Sequence, residues 1–135
     1  MERTLILIKP DGVERKLVGE IISFYERKNL NIAALSMIKA SREQAETHYE
    51  EHKGKHYYEE LIKYITEDRV CAIVVEGFQA VEVVRKINGD KDLLKADLGS
   101  IRGRYAEDKT RNLVHASDSV EHAQREIGIW FPGLV

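Results

Sequence analysis

The sequence predicts an α+β fold of the ferredoxin-like type, in which the order βαββαβ builds a four-stranded antiparallel sheet with helices on its faces. Three observations lead to this prediction. Short apolar runs alternate with segments whose apolar residues recur at helical spacing, linkers and internal repeats are absent, and 135 residues suffice for one hydrophobic core. Residues 1–135 are therefore expected to form a single domain, with a long loop before the last strand.

The first part of the chain alternates strand and helix signals. Thr4 to Ile8 is a short apolar run that predicts a buried strand, closed by a turn at Lys9-Pro10-Asp11-Gly12. Apolar residues at helical spacing from Val18 to Tyr25 predict an amphipathic helix that ends near Lys28-Asn29. Ile32 to Lys39 is the second strand candidate, and periodicity alone leaves a helix open for this segment.

Two predicted helices separate the second strand from the third. Ser41-Arg42-Glu43-Gln44 matches a capping box, so a helix is expected to start there and to run toward His52. Gly54 breaks that helix, and a new helical stripe extends from Tyr58 to Ile65. These two helices add a helical hairpin to the simple βαββαβ order.

The third strand begins the second half of the fold. Val70 to Val75 is rich in β-branched residues and predicts a buried strand. A stripe from Phe78 to Ile87 then predicts a helix that ends at Asn88-Gly89. From there to Arg111 the chain is polar and lacks a sustained period, which predicts a long loop of the kind that is often functional. Leu113-Val114 is the short fourth strand.

Composition and charge restrict the class of protein. The 43% apolar and 33% charged residues are ordinary for a globular domain, and the net charge of -2 provides no general attraction to nucleic acid or anionic lipid. Any anion must therefore be held by a local cluster of cations. The apolar runs are far shorter than the roughly 20 residues of a membrane span, no signal peptide is evident, and Cys71 is a lone cysteine. We expect a reduced, cytoplasmic location without membrane attachment.

Reactive side chains cluster where the fourth strand meets the last predicted helix. His115 stands at the strand end, and Asp118 to Glu121 forms a second capping box that opens the helix. A neutral imidazole nitrogen attacks phosphorus without prior deprotonation, and covalent catalysis requires a further group that orients the ring. Glu126 is placed to orient it, with Ser117 holding the carboxylate. Spacing alone leaves a merely structural histidine as the alternative.

A cluster of cations would suit a polyphosphate substrate. Lys9 follows the first strand, Arg85 lies near the end of a helix, and Arg102 lies in the long loop. Arginine clamps phosphate oxygens with two N–H donors, and lysine acts as a point charge. Neither a P-loop nor a Gly-x-Gly-x-x-Gly motif occurs, which excludes the common phosphate-binding loops.

Other candidate sites are weaker. His48, His52 and His56 are four residues apart and suggest a metal site on one helix face, but Gly54 interrupts that helix. A neighbouring tyrosine cluster is typical of core packing, although one ring of such a cluster can stack on a base. Trp130, close to the end of the chain, indicates packing or a subunit contact.

Several segments together resemble the nucleoside diphosphate kinase family. They are IKPDGV (Ile8 to Val13), LVGEII (Leu17 to Ile22), His48-Tyr49, IRG (Ile101 to Gly103) and, most specific of all, RNLVHASDSVE (Arg111 to Glu121). The resemblance extends from Arg3 to Phe131 and agrees with the fold predicted independently above. It implies that the γ-phosphate of a nucleoside triphosphate, typically ATP, passes to a nucleoside diphosphate, which maintains triphosphate pools.

The resemblance also implies roles for individual residues. His115 is expected to carry the phosphate in a ping-pong reaction, oriented by Glu126 and Ser117. The remaining expectations cover the substrate contacts: Lys9 and Asn112 at the sugar 3′-hydroxyl and the phosphates, Tyr49 beside the histidine, Arg85 and Arg102 on phosphate oxygens, Tyr57 on the base, and Asp118 touching Mg²⁺ through water. Mg²⁺ would come mainly with the substrate phosphates, and the assembly is expected to be a homo-oligomer, a tetramer or a hexamer.

The long loop departs from the family pattern. Lys91 stands where a phosphate-contacting threonine is usual, Leu93 and Leu98 replace prolines, and Arg104 replaces an acid. Lys91 is still expected to contact phosphate. The losses of proline put the rigidity of the loop and its assembly contacts in question rather than the reaction.

Two other functions are alternatives to enzymatic phosphoryl transfer. An RNA-binding module shares the βαββαβ order, but it requires exposed aromatic residues on central strands and a basic surface. A catalytically silent nucleotide sensor is the second alternative, and the presence of Asn112, His115, Ser117 and Glu126 together argues against it.

Overall fold

The computed structural model describes residues 1–134, and its strands form one antiparallel sheet in the order β2-β3-β1-β4. The strands are β1 (Glu2–Ile8), β2 (Asn31–Ile38), β3 (Val70–Gly77) and β4 (Val114–Ala116). The prediction of a four-stranded antiparallel sheet with ferredoxin-like order is confirmed, and the segment that periodicity left open is a strand, β2.

Seven α-helices accompany the sheet in this part of the chain. They are α1 (Pro10–Glu14), α2 (Val18–Arg27), α3 (Arg42–His48), α4 (Tyr58–Thr66), α5 (Ala80–Asn88), α6 (Ile101–Tyr105) and α7 (Val120–Trp130). A 3₁₀ turn, Glu50–His52, follows α3. The side chain of Ser41 accepts the N–H of Gln44 at 3.1 Å, so the predicted cap of α3 is present.

The central strands are covered on both faces. Leu5 and Leu7 of β1 pack in one layer with α3, α4 and α7, whereas Ile6 and Ile8 pack in the other with α2 and α5. This division follows from the period of two in a strand, which sends successive side chains to opposite faces. An RNA-binding module requires an open, aromatic sheet face, and these buried central strands do not provide one.

The structure corrects several predicted boundaries. The helix predicted from Ser41 toward His52 ends at His48, and the 3₁₀ turn replaces its last part. Phe78 lies outside α5 and is 82% exposed, so it is not part of the apolar stripe of that helix. The cap of α7 is Ser119, one residue later than the predicted capping box, and its hydroxyl accepts the N–H of His122 at 3.0 Å.

Two short helices were not predicted. The segment read as a turn after β1 is α1, with Pro10 in its first turn, where a missing N–H costs nothing. The long loop contains α6, whose cap Ser100 accepts the N–H of Gly103 at 3.0 Å. Also unlike the prediction, β4 continues past Val114, so His115 lies within the strand rather than after it. Among residues 1–134, no helix combines the length and apolar character needed to cross a membrane.

Candidate active site

The sheet register determines which way His115 points. His115 pairs directly with Leu7 of β1, and opposed residues of an antiparallel pair project from the same face. Leu7 packs in the layer that contains α3 and α7. The imidazole of His115 therefore projects toward these two helices, where Glu126 of α7 and His48 of α3 meet it.

Glu126 and Ser117, the residues expected to orient the imidazole, form a hydrogen-bonded chain with His115. Nε2 of His115 lies 2.9 Å from Oε1 of Glu126, and the hydroxyl of Ser117 donates to the same oxygen at 2.7 Å. Burial acts to raise the pKa of Glu126, but its hydrogen bonds and the charge of His115 outweigh burial and lower the pKa to about 2. An ionised carboxylate only accepts hydrogen bonds, so Nε2 carries the ring proton and Nδ1 keeps a free lone pair.

Neutral His115 is the dominant form at physiological pH. Burial lowers its pKa, the charges of Lys9 and Lys91 lower it further, and the hydrogen bond to Glu126 acts in the opposite direction. The side chain is 22% exposed, which leaves part of the ring accessible from the adjacent cleft. An unprotonated Nδ1 on a ring that lines the cleft is a competent nucleophile.

A cleft of about 1200 Å³ opens beside His115. Most of the side chains predicted for the site line it: Lys9, Tyr49, Tyr57, Arg85, Lys91, Arg102, His115, Asp118 and Glu126. Ser117 and Asn112 lie behind this wall, each buried and each hydrogen-bonded to a residue that lines it. The structure thus brings together all the residues that sequence analysis placed in one site.

Several cationic side chains line the cleft, among them Lys9, Arg85, Lys91 and Arg102. Burial, reinforced by the charges of Arg102 and Lys91, lowers the pKa of Lys9 to about 7, and its Nζ donates to Oδ1 of Asn112 at 2.9 Å. Burial and the charges of Arg102 and Arg85 likewise lower the pKa of Lys91. These like charges lie close enough to lower the pKa of Lys9 and of Lys91, and a polyanion in the cleft would relieve their repulsion.

Besides contributing a positive charge, Arg102 holds two backbone segments together. Its guanidinium donates to the carbonyl of Gly89 at 2.7 Å and to the carbonyl of Val114 at 2.6 Å. It therefore ties the end of α5 to the strand that carries His115. A guanidinium has five N–H donors, so some stay available for phosphate oxygens.

The aromatic and acidic residues differ in their surroundings. Tyr49 is 7% exposed and Tyr57 is half-buried, with its hydroxyl 2.7 Å from Nδ1 of His52. Asp118 lies at the exposed mouth of the cleft, where its carboxylate is hydrogen-bonded to Nδ1 of His122. Both side chains line the cleft and are accessible to a molecule bound in it.

The comparisons with known proteins agree with this geometry. The family model described as nucleoside diphosphate kinase matches residues 2–134. The nucleoside diphosphate kinase of Ignicoccus hospitalis is 56% identical over 131 residues, which cover 97% of this chain and 89% of the relative. That of Saccharolobus solfataricus is 51% identical over 130 residues, covering 96% and 94%.

The chain belongs to the nucleoside diphosphate kinase family. Two crystal structures of family members, from Encephalitozoon cuniculi and Aquifex aeolicus, each superpose with a TM-score of 0.94 at 38% identity. They cover 97% and 98% of this chain, which covers 89% and 96% of them. Nucleoside diphosphate kinases are phosphotransferases that work through a phosphohistidine intermediate, and this chain is an enzyme of that kind.

Sequence analysis missed the place of His48 in this nucleoside diphosphate kinase site. The spacing suggested a face shared with His52 and His56, but α3 ends at His48 and the three rings have different surroundings. His48 is 5% exposed, and its ring centroid lies 4.6 Å from that of His115. Its place in the His48-Tyr49 segment, one of those that carry the family resemblance, is the signal that could have found it.

His48, His115 and Glu126 form a cluster of possible metal ligands whose donor atoms lie within 4.8 Å of one another. Hydrogen bonds already occupy Nε2 of His115 and Nδ1 of His48, which accepts the indole N–H of Trp130 at 3.0 Å. This arrangement puts a proton on the other nitrogen of neutral His48, and a protonated nitrogen does not ligate a metal. The cluster is organised for hydrogen bonding rather than for metal binding.

Proposed function

We propose that His115 is the residue that carries the phosphate. Nδ1 attacks the γ-phosphorus of a nucleoside triphosphate, a bond from nitrogen to phosphorus forms, and the bond to the bridging oxygen breaks to release the diphosphate. A second nucleoside diphosphate then attacks the phosphohistidine with its terminal oxygen and regenerates the free imidazole. The observation that carries this assignment is the Nε2–H bond to Glu126, which leaves Nδ1 unprotonated beside the cleft.

The cations of the cleft would supply most of the catalysis. Phosphoryl transfer demands positioning and charge neutralisation more than covalent help from the protein. Lys9, Arg85, Lys91 and Arg102 are proposed to bind the phosphate oxygens and to stabilise the charge that develops on the transferred group. Because Lys9 already holds Asn112, this pair is proposed to meet the sugar 3′-hydroxyl and the inner phosphates together.

Tyr57 is proposed to stack on the base, and Tyr49 to line the wall beside His115. Stacking accepts any base because every base has a π-face. Recognition by one ring, the sugar and the phosphates would therefore let one enzyme use all the common nucleotides. The hydrogen bond from Tyr57 to His52 supports this role because it fixes the orientation of the ring.

Mg²⁺ is proposed to arrive with the substrate. Mg²⁺ prefers oxygen ligands, and the carboxylate beside His115, that of Glu126, already accepts hydrogen bonds from His115 and Ser117, which favours an ion carried by the phosphates over one held by the protein. Asp118 would contact that ion through water from the mouth of the cleft. When bound, the ion would neutralise charge on the phosphate oxygens.

A homo-oligomer, tetrameric or hexameric, is proposed from the exposed apolar residues. Leu94 and Leu98 of the long loop are 98% and 83% exposed, and Leu35 and Met37 of β2, at the sheet edge, are partly uncovered. A subunit contact would cover these apolar side chains. A cytoplasmic location is proposed because the sequence has a single cysteine, Cys71, and so forms no disulfide within the chain.

The test is formation of acid-labile phosphate on His115. Wild-type protein incubated with ATP is expected to gain one phosphate, mapped to His115 by mass spectrometry, and to pass it to GDP. His115→Gln should fold, bind nucleotide and form no phosphoprotein, whereas His56→Gln, a variant of an exposed histidine, should behave as wild type. Triphosphate formation by His115→Gln at the wild-type rate would remove His115 from the reaction. Nucleotide binding without transfer by the wild type would identify a silent sensor.

A further inference from the structure

The layer behind His115 contains a polar pair that the reaction above does not use. Nε1 of Trp130, in the last turn of α7, donates to Nδ1 of His48 at 3.0 Å, and both side chains are only 5% exposed. The ring of His48 meets that of His115 edge to face, with the centroids 4.6 Å apart and the planes at 78°. Three rings thus run in contact from α7 to the strand that carries His115.

The hydrogen bond from the indole of Trp130 determines the tautomer of His48. An indole nitrogen donates and never accepts, so Nδ1 of His48 must present a lone pair and its proton must lie on Nε2. Burial lowers the pKa of His48 to about 3, and the charges of His115, Arg125 and Lys9 lower it too, while Glu126 acts in the opposite direction. His48 is therefore neutral, and in a single tautomer, throughout the working pH range.

A ring held in this way restrains its neighbour. His115 is hydrogen-bonded through Nε2 to Glu126, and that bond alone leaves the ring free to tilt about it. The edge-to-face contact with His48 restricts this motion on one side, and it does so without adding a positive charge beside the nucleophile. We propose that His48, held in its Nε2–H tautomer by Trp130, is a positioning residue that fixes the plane of His115 for phosphoryl transfer.

The inference rests on the proposed role of His115 and can be tested separately from it. Imidazole ¹⁵N NMR of the wild-type protein reports the tautomer directly. His48 is expected to show the neutral Nε2–H form while His115 titrates, and Trp130→Phe is expected to mix the two tautomers of His48. A wild-type His48 in the Nδ1–H form, or one that titrates together with His115, would overturn the proposal even if His115 carries the phosphate.

Kinetics test whether the pair acts on the reaction. Trp130→Phe removes the N–H and keeps an aromatic ring, and we expect kcat to fall about tenfold at unchanged KM, since small misplacements of a reacting group are costly. His48→Phe should give a similar loss, and the double variant should lose no more than the worse single variant. Losses that multiply in the double variant would mean that the two residues act independently and would contradict the proposal.

Tyr58→Phe is the matched control. Tyr58 is buried in the same core layer as Trp130, and this change also removes one polar group from an aromatic ring. Its kcat should equal that of the wild type. If Tyr58→Phe and Trp130→Phe lowered kcat equally, the effect would be one of general packing. If His48→Phe failed to fold, His48→Asn would keep an acceptor for the indole while losing the ring, and a wild-type kcat in that variant would overturn the proposal.

Discussion

The carboxylate of Asp11 accepts the backbone N–H of Leu113, with Oδ2 3.1 Å from the nitrogen. Leu113 has a φ of 78°, a conformation that costs about 1–3 kcal/mol for a residue other than glycine. The N–H of Val114 bonds to the carbonyl of Asn112 at 2.9 Å, which makes the segment a strained γ-turn. Asp11 thus stabilises the turn from which the strand of His115 begins.

Asp11→Asn is expected to weaken this turn. Leu113 and the hydroxyl of Tyr64 donate to different oxygens of the Asp11 carboxylate, and asparagine replaces one of these two acceptors with an NH₂ group that only donates. We expect a loss of about 1–3 kcal/mol in the free energy of unfolding, measured with urea, and a lower rate of His115 phosphorylation. Tyr64→Phe keeps the bond to Leu113 and should retain the wild-type rate. An unchanged urea midpoint in Asp11→Asn would show that the turn does not depend on this carboxylate.

Lys9 is expected to give the reaction an alkaline limit. Its pKa of about 7 means that the free enzyme loses this cation as the pH rises above that value. We expect kcat/KM for nucleotide to fall from about pH 7 to about pH 9, whereas kcat changes little because bound phosphates restore the proton. Lys9→Arg stays charged and should show no such fall. A wild-type kcat/KM that is constant over this range would contradict the assignment.

Loss of the same proton from Lys9 should raise the stability of the folded protein with pH, although it lowers kcat/KM. The unfolded chain keeps Lys9 protonated up to its ordinary pKa of 10.5, while the folded protein releases the proton near pH 7. The unfolded state binds more protons between these values, so the free energy of unfolding contributed by Lys9 rises with pH there. Urea unfolding of the wild type against Lys9→Gln should show a difference that grows from about pH 7 to about pH 9. If the free energies of unfolding of the two proteins changed with pH in parallel, Lys9 would not be the group responsible for this pH dependence.

Lys91→Thr should restore the residue that is usual in the family at this position and remove one cation from the cleft. The charge of Lys91 contributes to the low pKa of Lys9, so its removal is expected to move the alkaline limit of kcat/KM to higher pH. The KM for nucleotide should rise severalfold, because one phosphate contact is lost. Lys109→Thr, a change of an exposed lysine that does not line the cleft, separates this effect from net charge. If kcat/KM depended on pH in the same way for wild type and Lys91→Thr, Lys91 would not influence the protonation of Lys9.

Arg102→Lys tests the bridge between α5 and β4. Lysine keeps the charge but cannot donate to the carbonyls of Gly89 and Val114 with the fixed fork of arginine. We expect a loss of about 2 kcal/mol in stability, measured by urea unfolding, together with a lower kcat/KM. Arg104→Lys, on the same short helix, should leave both quantities near wild type. A stability equal to that of the wild type would mean that the carbonyls find other donors.

The long periodic segments were predictable and the short ones were not. The apolar runs of β1 and β3 and the stripes of α2 and α4 follow from local spacing, which a sequence displays directly. Helices of five residues, such as α1 and α6, have no complete period to recognise. The cap Ser100 was the one local signal for α6.

The candidate site likewise contains residues that could be predicted from the sequence and residues that could not. His115, Glu126 and Ser117 were predicted because they stand close together in the chain at a strand–helix junction. His48 and Trp130 were not, because their contacts join residues 82 positions apart and depend on how α3 and α7 pack on the sheet. No local pattern encodes such a contact.

The alternation of elements, the family and the chemical groups available for phosphoryl transfer could be predicted from the amino-acid order, since each depends on spacing or on a contiguous motif. Three properties depend instead on the packed fold: which nitrogen of His115 is free, the lowering of the pKa of Lys9 by the charges of Arg102 and Lys91, and the neutral form of His48. These properties arise from burial and from distances across the fold, and burial and distance exist only once the chain has packed.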